Sequence, residues 1–170
     1  MTQPPQIETP RQLLLAQLGK LLTVEETLLK RVLPQLVRQL GDEELKAVVA
    51  AHVEETRGHV GNVQQAFLAL GAVPEGKPAP GLDGLVRERE AAVGDIWPEL
   101  RSSFDCASAM GTEHYEINAY EAAIRLADAL GVEEVGRLLR SNLEQEIAAL
   151  EQLGAQADRL GAASPAAAAS

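Results

Sequence analysis

In the segment GTEHYEINAYEAAIRLADALG, residues 111–131, two carboxylates stand where an apolar stripe should run. Glu113 and Glu116 lie one turn apart at helical spacing from Met110, Ile117, Tyr120 and Ile124. An uncompensated buried carboxylate costs several kcal/mol or becomes neutral. A helix that aims two of them inward therefore calls for a partner, and a divalent cation is one. Distances along the chain extend the pattern. Glu26 is 15 residues before Gly41, Glu55 is 14 after it, Glu116 is 15 before Gly131 and Glu146 is 15 after it. At the rise of an α-helix each sits roughly 22 Å from its own hairpin turn. Four glutamates, one per helix, then share one height if the two hairpins pack in register.

The faces agree with the heights. Glu146 lies at helical spacing from Leu139, Leu143, Leu150 and Leu153, and Glu26 shares a face with Leu22, Leu29 and Leu33. Glu55 shares a face with Val48, His52 and His59, and His59 lies one turn further along, as Glu113 does on its own helix. Glutamates from all four helices with histidine added are how ferritin-like bundles hold two iron or manganese ions. Carboxylate with imidazole suits those metals, whereas thiolate would suggest zinc or copper. The residue pattern leaves two choices open. Glu25, flanked by Leu21, Leu22, Leu28 and Leu29, can replace Glu26, and Glu54 can replace Glu55. An acid beside an apolar stripe is also often a mere boundary residue in a chain with 25 acidic side chains. His52 reads as a supporting group or a hydrogen-bonded core residue. Tyr120 reads as a buried tyrosine that finds a partner, with a ligand as one candidate. His114 points about 100° away from Glu113 and reads as structural or interfacial.

These residues need long helices to position them, and the composition supplies the means. Ala, Leu and Glu abound among 170 residues, and aromatics make up 3%, which argues for one all-α domain. A formal net charge of -10, with no basic block, excludes a nucleic-acid binder and suits neither an anionic membrane surface nor a bilayer span. Cys106 is the only cysteine, so there is no intramolecular disulfide and no Cys-based zinc site. The N-terminus carries no signal-peptide pattern, and the expected location is cytoplasmic.

Residues 1–8 and the Ala-rich tail 162–170 read as disordered, and 9–161 as the helical bundle. Thr9-Pro10-Arg11-Gln12 reads as a capping box opening a helix that runs to about Leu40, with Pro34 bending it or loosening a turn. Gly41-Asp42 starts a second helix to about Leu70, and AVPEGKPAPG (72–81) is a loop. A short amphipathic segment over about 82–96 follows. Pro98 opens a third helix to about Leu130, and after Gly131 a fourth runs to about Leu160. Two hairpins joined by a long connector predict a ferritin-like four-helix bundle with one crossover, against the simpler up-down-up-down alternative.

The segments EETLLKRVLPQL (25–36), AHVEETRGHV (51–60), EHYEINAYEAA (113–123) and GVEEVGRLLRSNLEQE (131–146) resemble the YciF-like proteins of the ferritin-like superfamily, bacterial proteins induced by stress. The likeness spans about residues 10–155. It implies a homodimeric ferritin-like bundle with a di-metal centre of two iron or manganese ions. The implied carboxylates are Glu26, Glu55, Glu113, Glu116 and Glu146, joined by His59. Three features depart from a full ligand set. No His lies near Glu146, where Ala149 and Leu150 stand at i+3 and i+4. Similar family members often carry Asp at the position of Leu150. Helix two has Glu-x-x-x-His rather than Glu-x-x-His. The implied chemistry is Fe(II) oxidation by O2 or peroxide. The alternatives are a non-catalytic bundle acting in assembly or partner binding, and an oxygenase that would need an apolar pocket beside the site.

Overall fold

The computed structural model describes residues 6–163. The expected disorder of 1–5 and 164–170 lies outside the described residues, and residues 6–8 precede the first helix. The helices are α1 (Pro10–Thr27), α2 (Leu33–Gln39), α3 (Glu43–Ala69), α4 (Pro80–Ala92), α5 (Arg101–Ala129) and α6 (Glu133–Ala162). Among the described residues there is no strand, and no helix is long and apolar enough to cross a membrane.

Helix α1 starts as its sequence demands. The Thr9 hydroxyl accepts from the Gln12 amide at 3.1 Å, and the Gln12 side chain accepts from the Thr9 amide at 3.0 Å. The buried stripe then steps by three and four through Leu14, Leu18, Leu21, Glu25 and Leu28, and jumps five to Leu33. That jump is a π-turn, Leu28–Val32, in which the Leu33 amide reaches back five residues to the Leu28 carbonyl. Pro34 supplies the reason. It has no N–H for the Lys30 carbonyl and its ring would crowd that carbonyl, so the preceding turn widens by one residue. The loosening expected at Pro34 thus falls one turn before it. Residues on its N-terminal side are rotated about 100° relative to an unbroken count from Gly41.

Helix α3 begins where the Asp42 carboxylate accepts from the Leu45 amide at 2.9 Å. At the α5–α6 hairpin, Gly131 adopts a φ of 65°. This left-handed step lets the Val132 amide bond the Ala127 carbonyl at 3.0 Å, closing the helix.

Two apolar layers fix the topology. In one, Leu14 and Leu18 of α1 meet Phe67 of α3, Ala127 of α5 and Leu139 of α6. In the other, Leu36 of α2 meets Val49 of α3, Cys106 of α5 and Leu153 of α6. The starts of α3 and α5 therefore lie at the same end, so these two helices run parallel. Helix α1 packs on α3 and α5, and α6 packs on the same two, which leaves α1/α6 and α3/α5 as the diagonals. This is the one-crossover bundle.

The crossover itself is pinned along its path. Arg11 donates to the Leu70 carbonyl where the connector leaves α3. The Lys77 amide bonds the Gly19 carbonyl at 2.9 Å, an approach so close that a Cβ on Gly19 would lie 2.7 Å from the Glu75 carbonyl oxygen. Helix α4, starting at Pro80 and shorter than the expected 82–96 segment at its far end, carries the chain to the opposite end. There Arg89 pairs with buried Asp105 at 2.8 Å and bonds Gln39 at 3.1 Å. A 3₁₀ turn, Pro98–Leu100, then opens α5.

Candidate metal centre

Between the two apolar layers lies a polar one. Glu25 from α1, His52, Thr56 and His59 from α3, Glu113 and Glu116 from α5, and Asn142 and Glu146 from α6 are all buried. Each falls on the core stripe of its helix. On α3 the stripe reads Leu45, Val49, His52, Thr56, His59, Val63, Ala66, and on α6 Val135, Leu139, Asn142, Glu146, Ala149, Leu153. The helical period alone thus drives these polar groups inward. Thr56 answers its own need by donating to the His52 carbonyl at 2.9 Å. The carboxylates and imidazoles do not. Among the described residues, Glu25, His52, Glu113 and Glu116 hold buried oxygen or nitrogen atoms without a hydrogen-bond partner, both oxygens of Glu116 among them, and His59 Nδ1 and the Glu146 carboxylate have little but each other.

These atoms converge in two groups that share Glu146. His52, Glu113, Glu116 and Glu146 can each bring one donor atom within 4.8 Å of the others, and so can Glu25, His59 and Glu146. His52 Nε2 lies 3.5 Å from both Glu113 Oε1 and Glu146 Oε2. His59 Nδ1 lies 2.9 Å from Glu146 Oε1 and 3.5 Å from Glu25 Oε2.

Hydrogen bonds on the outer ring nitrogens assign the inner ones. His52 Nδ1 is 3.0 Å from Glu55 Oε2, an acceptor, so Nδ1 carries hydrogen and the Nε2 lone pair faces the cluster. His59 Nε2 donates to Gln145 Oε1 at 3.0 Å, which turns Nδ1 inward. A second set of bonds holds the Glu25 side. Tyr120 donates its hydroxyl hydrogen to Glu25 Oε1, and Asn142 Nδ2 donates to the Tyr120 oxygen at 2.9 Å. Asn62 donates to Asn142 Oδ1 at 2.7 Å.

The protein groups alone set unusual proton affinities. Burial pushes Glu113 up to about 10, with the Glu146 charge adding to it. Burial likewise raises Glu25 and lifts Glu116 well above the ordinary carboxylate value. For His59, burial disfavours the charged ring, but the Glu146 and Glu25 carboxylates outweigh it and raise it to about 10. Burial also opposes charge on Glu146, yet the bond from His59 prevails and keeps it below its ordinary value. The protein groups by themselves therefore favour one buried ion pair, His59 with Glu146, with burial pushing the other carboxyls toward their neutral form.

The structure brings together His59, Glu113, Glu116 and Glu146 from the sequence-derived set, and moves two members outward. Glu26 is 38% exposed and pairs with Lys30 at 3.3 Å, while Glu25 takes the inward place. The extra residue of the π-turn lies between Gly41 and these glutamates, so a count of 15 back from the turn falls one residue short of the core stripe. Glu55 is 39% exposed and meets the cluster only through His52. Its position in the stripe belongs to Thr56. His52, expected as a supporting group, instead aims a ring nitrogen into the cluster, and Tyr120 does support a carboxylate. His114 is exposed. Asn142 was not anticipated, although its place in the seven-residue rhythm of α6 marks it as inward. Leu150 is half-buried, and Ala149 occupies the inward position one turn after Glu146.

Six convergent buried carboxylate and imidazole side chains, in two groups that share Glu146, could hold a metal ion. The only cysteine, Cys106, lies elsewhere and donates to the Leu153 carbonyl at 3.3 Å, so the donor set is oxygen and nitrogen alone.

Comparison with known proteins agrees with this architecture. Residues 9–165 match a family described as a domain of unknown function, DUF892. Protein YciF of Escherichia coli K12 is 30% identical over 123 residues, covering 71% of this chain and 74% of that protein. The crystal structure of the E. coli stress protein YciF superposes with a TM-score of 0.86 at 27% identity, covering 92% of this chain and 99% of that one. YcfI of Rhodopseudomonas palustris, for which a structural role has been suggested, gives 0.85 at 33% identity, covering 88% and 95%. A Xanthomonas campestris protein at 21% identity, with a TM-score of 0.74 over 91% of this chain and 95% of that one, shares the fold. With the family match running through nearly all of the described bundle, the chain belongs to the DUF892 family of YciF-like proteins.

Proposed function

We propose that this protein is a ferritin-like metal-binding stress protein whose core holds two iron or manganese ions and oxidises Fe(II) with O2 or peroxide. The observation that carries the reading is the set of orphaned buried donor atoms at the junction of four helices. Leaving so many unpaired would cost several kcal/mol, and a cation pair removes the cost. Glu146, common to both donor groups, would be shared between the two ions. His52, Glu113 and Glu116 would hold one, and Glu25 and His59 the other. Bound iron would supply electrons to the oxidant. The chain orients its imidazoles through Glu55 and Gln145, keeps bulk water out with the two apolar layers, and takes up and releases protons at Glu25, Glu113 and Glu116. Cytoplasmic location and a homodimer belong to the same reading, and sedimentation tests the latter.

The deciding experiment is metal content by mass spectrometry after anaerobic Fe(II) loading and desalting, beside a Glu113→Ala, Glu146→Ala variant. About two irons per chain, lost in the variant, is the outcome the two donor groups require. A chain that retains no iron, manganese or zinc overturns the reading. The second reading, a non-catalytic assembly protein, is favoured by Ala149, which puts a methyl group where helix α6 would need a further donor.

A further inference from the structure

Two clefts approach Glu113 from different sides. The first lies between the π-turn, α4 and α5, with a volume of about 50 Å³, walls including Leu28, Val86 and Thr112, and Arg31 and Arg89 with Glu90 at its rim. The second lies between α2, α3, α5 and α6, with a volume of about 20 Å³. Leu36, Val48 and Ala149 line it, Glu55 and Gln152 stand at its rim, and it ends on His52 and Glu113. Those two side chains are 7% and 5% exposed, and His52 Nε2 and Glu113 Oε2 have no partner.

Resting on the metal-centre reading above, we propose that the second cleft is the route by which a divalent cation reaches the centre, with Glu55 as its first protein ligand. The rims differ in charge. Glu55 is the one charged rim residue of the second cleft, whereas at the first Arg31 stands beside Glu90 and the Arg89 charge is already met by Asp105, which leaves no net negative charge to draw in a cation. The 20 Å³ volume admits one water-sized species at a time, so the ion must shed water at the rim. A carboxylate there replaces the lost water. Only one Glu55 oxygen is engaged by His52, at 3.0 Å, and the side chain is 39% exposed. The same contact that orients His52 therefore places a half-exposed carboxylate beside the ring whose other nitrogen faces the cluster. From Glu55 the next donors are His52 Nε2 and Glu113, both lining the cleft floor. Ala149 keeps the passage open, since a larger side chain in that wall would fill it.

Stopped-flow uptake of Co(II) by the metal-free full-length protein, followed by cobalt absorption, tests the route. Ala51→Phe at the exposed rim should slow uptake about tenfold while the final cobalt content stays at the wild-type value. Glu55→Gln should slow it and flatten its dependence on ionic strength, which a purely structural role would not do. Val86→Phe, filling the first cleft, should leave the rate at the wild-type value. Wild-type rates in both Ala51→Phe and Glu55→Gln, with cobalt bound at equilibrium, overturn the route and leave the centre standing. Slowing by Val86→Phe alone assigns uptake to the first cleft and overturns it as well. A wild-type protein that binds no cobalt at equilibrium overturns the metal-centre reading itself, and the route with it.

Discussion

The two donor groups of the polar layer share Glu146 and little else. The group built on His52, Glu113 and Glu116 offers four donors, borders both clefts, and has a half-exposed carboxylate, Glu55, behind its histidine. The group built on Glu25 and His59 offers three donors and lies behind Tyr120, Asn142 and Asn62, a chain of hydrogen bonds that continues away from it. One is donor-rich and open. The other is donor-poor and tied into a polar network. The difference teaches that quasi-symmetric hairpins do not make symmetric sites: the α1 carboxylate is spoken for by Tyr120, while both α5 carboxylates point at the cluster with unpaired oxygens.

The comparison breaks most completely at the shared residue. Glu146→Ala should empty both groups, weakening cation binding by more than about 100-fold, beyond the loss of an outer hydrogen-bond partner. It should also destabilise the metal-free protein by about 3 kcal/mol, because the buried His59 charge loses its partner. Isothermal titration with Co(II) and urea unfolding in chelator check the two effects. Retention of one full-affinity ion would show that the groups do not share this carboxylate.

Glu116→Leu separates the groups. It removes a donor from the open group alone, so metal content should fall from about two to about one per chain. The metal-free protein should become more stable by about 1–3 kcal/mol, since a leucine replaces a buried carboxyl with two unpaired oxygens. A lower urea midpoint in chelator would contradict that account.

Proton affinity sharpens the same contrast. His59 is raised from 6.5 to about 10, so its contribution to stability is complete below 6.5 and lost as pH rises through about 10. Glu113, raised from 4.5 to about 10, also binds its proton more tightly in the folded state, so stability falls with pH over that interval. Both shifts have the same sign. The melting temperature of metal-free protein should therefore drop as pH rises above 4.5 toward about 10. Metal affinity should rise over the same range, because binding displaces those protons. Parallel melts with and without Mn(II) measure both, and a metal-free melting temperature that climbs with pH would refute the protonation pattern.

The smallest effect is expected at Tyr120→Phe. It deletes the bond to Glu25 and the acceptor for Asn142, at a cost of about 1–2 kcal/mol. Binding at the Glu25 group should weaken while the four-donor group is unchanged, which a two-step titration resolves.

Much of this was legible from residue order. The Thr9–Gln12 cap, the Asp42 cap, the Gly131 turn and the crossover follow from local chemistry and from connection lengths, and the structure repeats them. The inward phase of His59, Glu113, Glu116 and Glu146 follows from the 3.6-residue period. Glu26 turns outward for a different reason. The count from Gly41 takes every turn at the regular α-helical period, and the π-turn that accommodates Pro34 adds a residue and moves the stripe to Glu25. The five-residue step from Leu28 to Leu33 was the available signal. Glu55 lies at the edge of the stripe because His52 and His59 sit seven residues apart, and a residue at 55 borders that stripe while Thr56 lies on it.

Sequence by itself determined the helices, their hairpin pairing and the level at which acids and histidines would gather, because caps, turns and periodicity act between neighbours in the chain. Tertiary structure alone decided which of two adjacent glutamates faced inward, which ring nitrogen each histidine turned to the centre, and that Ala149 and Glu55 would frame a cleft. Those outcomes depend on rotations of about 100° and on contacts between side chains as much as 95 residues apart, which a helical count does not contain.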